Sequence, residues 1–263
     1  MKQNKYFSTG RFARLFRNDL LINQKTYLFT LAGLGIAIYA LMYFLMMNTK
    51  HVGINQYTGF IVFYLMGVGV VVGTAFPALT NQIKTNNYLL APGSTFEKYM
   101  VQFVIRIVIF IPIALLVFWI SAHLAKASLV PDPNIGFDPK VSIADFRFSD
   151  LLDGVAFVDK LVIILSIFSF ACLLFTGSVF FNHFALIKTL IVTALMVGAV
   201  ILTFVLFSHI FYPAETQGFD IELKAYQITE NLFNVQLAAY LLGGLSWLFF
   251  LPLAYFKLKE KEV

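Results

Sequence analysis

Apolar residues in this chain gather into six long runs separated by polar seams: 27–47, 57–79, 99–122, 161–181, 189–212 and 235–256. Each run is 21 to 24 residues long. A helix rising about 1.5 Å per residue needs roughly 20 residues to cross a hydrocarbon core of about 30 Å. Five of the six runs hold no charged side chain or histidine well inside them. Lipid offers a bare backbone no hydrogen bonds, so such runs must satisfy their own polar groups as helices. The pattern predicts an all-α fold, a polytopic bundle of six transmembrane helices spanning residues 27–256.

The seams carry their own patterns. In the N-terminal segment 1–26, Phe12, Leu15, Phe16 and Leu20 recur at three- and four-residue spacing, while Arg11, Arg14 and Arg17 fall on the opposite face. This predicts an interfacial amphipathic helix over about 9–25, apolar side down and arginines towards lipid phosphate. The second run contains Gly67, Gly69 and Gly73. The Gly69-x-x-x-Gly73 spacing admits a close helix neighbour, and packing within the chain is the expected use.

Between the second and third runs, Pro92-Gly93 cannot continue a helix, and Ser94-Thr95-Phe96-Glu97 reads as a capping box that restarts one. Residues 82–90 suffice for a short transverse helix before that break. This geometry suits either a capped hairpin without a partner or a docking surface. Arg106 lies one to two turns inside the third run and is expected to snorkel to the interface. Pro112 is expected to kink the same helix. The acidic seam 123–160 carries Pro131, Pro133 and Pro139, and its part 144–158 suits an interfacial helix. The seam 213–234 is also acidic and is expected to be part-helical. Residues 257–263 form a short charged tail.

Composition agrees with this class: 59% of residues are apolar and 13% charged, against about 25% charged in soluble domains. The charges set an orientation. With the N-terminus inside, thirteen of the nineteen basic residues fall on the cytoplasmic side, and ten of the fourteen acidic residues fall outside. Lys/Arg-rich loops stay cytoplasmic, so both termini are expected inside a cell (inner) membrane. The net charge of +5 then reflects topology and contact with membrane lipid, and no nucleic acid partner is expected. The first run is long and lacks a small-residue cleavage site after it, so no removable signal is expected. The single cysteine, Cys172, has no partner for an internal disulfide.

Catalytic motifs are sparse. There is no Gly-x-x-x-x-Gly-Lys-Ser/Thr, so the chain lacks a nucleotide-cradling loop. His51, His123, His183 and His209 have no metal-ligand spacing. No carboxylate sits deep in a run, which disfavours an ion-coupled carrier. Gly244-Leu245-Ser246-Trp247 faintly resembles the serine motif of rhomboid proteases, with His209 as an imagined base. The glycine after the serine is missing and the two residues lie at different depths, so Ser246 is read as a packing serine. No catalytic, metal or cofactor site is expected in this chain.

Leu89-Leu90-Ala91-Pro92-Gly93-Ser94-Thr95-Phe96-Glu97-Lys98 resembles a segment of ABC-2-type permeases, the transmembrane subunits of ABC transporters. Gly177-Ser178-Val179-Phe180-Phe181 and Phe184-Ala185-Leu186-Ile187-Lys188-Thr189 are similar to a second segment of that family. The resemblance implies an exporter whose ATP and Mg²⁺ are bound by a separate ABC ATPase subunit. It implies pairing as a homodimer or with a second permease. Asn87, Tyr88, Pro92, Ser94, Glu97 and Lys98 would form the ATPase-coupling element, and the segment containing Arg11, Phe12, Arg14, Phe16 and Arg17 the connecting helix. Where the family carries a short apolar re-entrant hairpin, 212–234 is long and acidic here. The alternative reading is a membrane scaffold or assembly factor that keeps this fold and transports nothing.

The charge asymmetry predicts labelling. With Cys172 replaced by serine, Lys84→Cys should react with an impermeant maleimide only from the cytoplasmic side, and Asp153→Cys only from outside. The reverse pattern would invert the topology.

Overall fold

The computed structural model describes residues 7–49, 51–80, 85, 88, 90, 92–129, 142–181, 184–211, 227–229, 232–233, 240–241 and 243–261. Five described helices are long and apolar enough to cross a membrane: Thr9–Asn48, Ile54–Val72, Thr95–Leu129, Phe157–Phe180 and Ala185–Thr203. The chain has the architecture of an all-α, multi-pass membrane bundle.

Helix α1 (Thr9–Asn48) starts after Ser8, in extended backbone, and runs 40 residues without a break. At about 1.5 Å per residue it is roughly 60 Å long, about twice the hydrocarbon core. The amphipathic segment and the first span are therefore one hydrogen-bonded helix, without the division expected near residue 26. Its apolar residues Phe12, Leu15, Phe16 and Leu20 pack on Tyr27, Val101 and Ile105. That face is thus partly buried against the rod that follows, a contact the periodicity alone does not call for.

Helix α2 (Ile54–Val72) follows Gly53, whose N–H donates to Gln56 Oε1 at 2.5 Å. It stops at Gly73, short of the expected end at 79. A turn and a 3₁₀ turn (Pro77–Thr80) replace its last part, because Pro77 cannot donate a helical hydrogen bond. The next rod comprises α3 (Thr95–Phe103), a π-helical turn (Val104–Ile109) and α4 (Phe110–Leu129). The π turn lies just before Pro112, which has no N–H for the carbonyl of Val108. The chain continues with α5 (Phe157–Phe180), α6 (Ala185–Phe211) and α7 (Trp247–Glu260). The sixth apolar run lies partly outside the described residues. α7 carries the helix through Lys257 and Lys259, so most of the supposed tail is helical.

Two cores result. One joins α1, α2 and α4 around Met42, Met46, Tyr57, Phe118 and Phe146. The other joins the end of α2, α3, α5 and α7 around Val72, Tyr99, Phe175 and Leu258. Cross-chain hydroxyls clip the helices together: Tyr64 Oη donates to the Ala114 carbonyl at 2.8 Å, and Tyr99 Oη to that of Leu251 at 3.0 Å. Gly69 and Gly73 allow Leu174 and Leu186 of the same chain to approach closely.

The segment expected to form an interfacial helix over 144–158 is instead an irregular strap. Strand β1 (His51–Val52) pairs in parallel with β2 (Ser142–Ile143), and a 3₁₀ turn spans Asp150–Leu152. Phe146 anchors the strap, its ring 5.2 Å from those of both Tyr57 and Phe118. Lys126 Nζ lies 2.6 Å from Asp145 Oδ1, and that hydrogen bond and charge hold the Asp145 carboxyl below its usual range. Within the seam 213–234, the described parts are the antiparallel strands β3 (Gln227–Thr229) and β4 (Leu232–Phe233).

Truncating the anchor leaves a void between Tyr57 and Phe118. Phe146→Ala should destabilise the protein by about 3 kcal/mol, read as a lowered thermal midpoint in detergent. An unchanged midpoint would show that the strap is not docked.

Candidate functional site

The polar residues singled out around Pro92 converge on one carboxylate. Ser94 caps α3: its Oγ accepts the Glu97 N–H at 3.2 Å, and Glu97 Oε2 accepts the Ser94 N–H at 3.0 Å. Glu97 is completely buried. Its other oxygen, Oε1, reaches the N-terminal end of α1. There it accepts the Ser8 N–H at 2.6 Å and Arg11 Nε at 3.2 Å, with Arg11 Nη2 at 3.1 Å. One carboxylate thus caps two helix starts and pairs with a cation, at the helix ends where negative charge is favoured.

Apolar contacts close around this clamp. Phe96 packs edge-on against Phe7 and Tyr255, with centroids 6.2 and 5.9 Å away. A side chain at Gly93 would meet Leu15 Cδ1 at 2.7 Å, so the bare glycine lets α1 approach the elbow. Tyr88 Oη donates to the Lys98 carbonyl at 3.4 Å, and Lys98 Nζ lies 6.0 Å from the Tyr88 ring centre. Pro92 is exposed. Asn87 and most of the expected transverse helix over 82–90 lie outside the described residues, though Thr85, Tyr88 and Leu90 are helical. Of the amphipathic set, Arg11 joins the clamp and Phe12 and Phe16 pack beside Val101. Arg14 donates to the Gly10 carbonyl of its own helix, and Arg17 is exposed. Gly69 and Gly73 stand apart from the clamp, on the α2 side.

A second polar group, absent from the sequence reading, lies two turns further along α1. Asp19 Oδ1 accepts Gln102 Nε2 at 2.9 Å and Asn23 Nδ2 at 3.2 Å, and Oδ2 accepts Tyr27 Oη at 2.9 Å. Arg106 sits 4.8 Å from the Tyr27 ring centre and donates from Nη1 to the Val71 carbonyl at 3.3 Å. Only 6% exposed, it points into the bundle and does not snorkel. The end of α2 explains this, since its C-terminal carbonyls present negative charge to a cation. One signal was available: Asp19 is the only acid before Glu97.

Among the described residues, no His, Cys, Asp or Glu group is arranged to hold a metal ion. Ser246 directly precedes α7, its carbonyl accepting the Phe249 and Phe250 N–H groups. The His209 side chain lies outside the described residues. Comparison with protein-family models, with curated proteins and with solved structures finds no match.

Removing the Glu97 carboxylate strands two backbone donors and a guanidinium. Glu97→Ala should cost about 3 kcal/mol, and Glu97→Gln roughly half of that. Thermal unfolding in detergent reads the cost. Hydrogen exchange should locate the loosening at Ser8–Phe16 and Ser94–Lys98, and exchange unchanged at both segments would refute the clamp.

Proposed function

We propose that this chain is the transmembrane permease subunit of an ATP-driven ABC-2-type exporter, with ATP and Mg²⁺ handled by a separate ABC ATPase subunit. The observation that carries the reading is the buried clamp at Glu97. A coupling element must pass displacement into the membrane without absorbing it. Here the elbow at Pro92 is tied through Glu97 to the start of both α1 and the Thr95–Leu129 rod, so a push on the elbow moves two spanning helices together.

Other features support the same reading. The first described turn of α1 meets Glu97, and Tyr255 near the chain's end meets Phe96, so both ends of the bundle sequence stand at one side. This supports the reading of an even number of crossings, six, with 235–256 as the last. The Lys/Arg excess on that side makes it cytoplasmic, in the inner membrane. The N-terminal turns of α1 act as the connecting helix, and a second permease, identical or not, completes the transporter. The apolar runs hold no carboxylate, which favours an amphipathic or lipid-like substrate over an ion.

Co-purification tests this. Expressed with the Walker-loop ATPases of the same cell, the chain should retain one of them, and ATP turnover of that complex should fall several-fold in Asn87→Ala and Glu97→Gln at equal expression. Failure to retain any ATPase would remove the proposal.

A further inference from the structure

The outer side of α1 changes chemistry along its length. Arg14, Arg17, Leu21, Lys25, Leu28 and Ala32 follow one another at three- and four-residue spacing and all are exposed. They therefore share one stripe of the helix. Because α1 is unbroken from Thr9 to Asn48, the two ends of that stripe keep a fixed register.

The first half of the stripe is basic. Among the described residues, Arg17 and Lys25 have no hydrogen-bond or ion-pair partner. Arg14 uses only Nε, on the Gly10 carbonyl of its own helix. Asp19, the one acid in these turns, is engaged elsewhere by Gln102, Asn23 and Tyr27. No carboxylate on this face answers the three cations, so the face is complementary to an anion.

The second half leads into hydrocarbon. Leu28, Ala32 and Ile36 of α1 and Val117, Ser121 and Leu124 of α4 line an apolar groove of about 570 Å³. Its polar groups already have partners. Ser121 Oγ donates to the Gly35 carbonyl at 3.3 Å, and the Tyr39 and Ser128 hydroxyls lie 3.0 Å apart across the two helices. These links hold both walls in place and leave a surface suited to an apolar occupant. From Leu28 to Tyr39 the groove runs about 16 Å at 1.5 Å per residue, room for the greater part of an extended acyl chain. Lys25 stands one turn before Leu28, where the apolar run 27–47 begins, and that is the depth of a phosphate above its acyl chains.

We infer that this stripe is a docking site for an anionic phospholipid. The phosphate lies between Arg17 and Lys25, Arg14 adds to the positive field, and one acyl chain occupies the groove between α1 and α4. Charge supplies the selectivity for an anion and the groove fixes the place. The site needs only a membrane-embedded chain and is independent of any ATPase.

Phosphatidylcholine with the same acyl chains as phosphatidylglycerol is the discriminating control, because its headgroup carries no net charge. Native mass spectrometry of the full chain, delipidated and titrated with each lipid, should show phosphatidylglycerol retained on the order of twentyfold better, since each basic side chain at a membrane surface contributes roughly fivefold. Arg17→Gln and Lys25→Gln should each lower that preference roughly fivefold, at an unchanged thermal midpoint because both side chains are exposed. Ala32→Phe fills the groove, keeps every charge and should weaken phosphatidylglycerol retention several-fold. If Ala32→Phe does not fold, Leu28→Asn is the substitute, with the same expected loss. Equal retention of the two lipids by the unaltered protein would overturn the inference, as would a preference that survives both glutamine variants. Retention undiminished by the groove variant would also overturn it, showing diffuse attraction to a basic helix in place of a seated lipid. Free glycerol phosphate binding as tightly as the lipid would do the same, showing a soluble phosphate to be the ligand.

Discussion

Hydrocarbon accepts no hydrogen bonds, and every polar group along the spanning helices has to find its partner inside the protein. That constraint organises this molecule. Backbone groups are closed by helix formation, and hydroxyls fold back onto their own helices, as Thr193 does onto the Thr189 carbonyl at 2.8 Å. Some hydroxyls serve two helices at once. Thr176 Oγ1 lies 2.7 Å from the Cys172 carbonyl and 3.0 Å from that of Phe250, which joins α5 to α7. Lys261 Nζ, 2.6 Å from the Val179 carbonyl, caps the negative end of α5. Each such link contributes modestly, on the order of 1 kcal/mol, yet each also fixes how neighbouring helices are rotated.

The rod from Thr95 to Leu129 ties the two cores together. Its lower half contributes Tyr99 and Ile107 to one core, and its upper half contributes Phe110, Ala114 and Phe118 to the other. The π turn lies between the halves and carries Arg106 against the end of α2. A π turn changes the angular register of the residues after it, which lets one helix present suitable faces to two different sets of neighbours. The Glu97 clamp then anchors the lower end of the rod to α1. A displacement entering at the elbow has a stiff route into both cores, and this is the mechanical basis of the proposed coupling.

Several features were legible along the chain because their physics is local. Ser94 and Glu97 lie three residues apart, and the capping box they form depends on no distant residue. Helix presence followed from run length alone, and the boundary near Gly73 and Pro77 was displaced because two local breakers outweigh an apolar run. Arg11, Phe12 and Phe16 were recognisable as a two-faced set, but the partner of each face was not. An apolar stripe reads the same whether it meets lipid or Val101 and Ile105. The strap over 144–156 was misread for a related reason: its acidic and apolar alternation suits an amphipathic helix, while the buried seat for Phe146 exists only once α2 and α4 are side by side.

The amino-acid order by itself determined that this protein is a bundle of membrane-crossing helices, where most of them run, and that a helix restarts at Ser94. Those outcomes depend on backbone hydrogen bonding over a few residues and on the width of a bilayer. Tertiary structure alone decided that Glu97 is buried against Ser8 and Arg11, that Arg106 turns inward to the Val71 carbonyl, and that Asp19 meets Gln102. Each of these pairs residues more than thirty positions apart, and such contacts arise only when packing brings separate helices to the same depth.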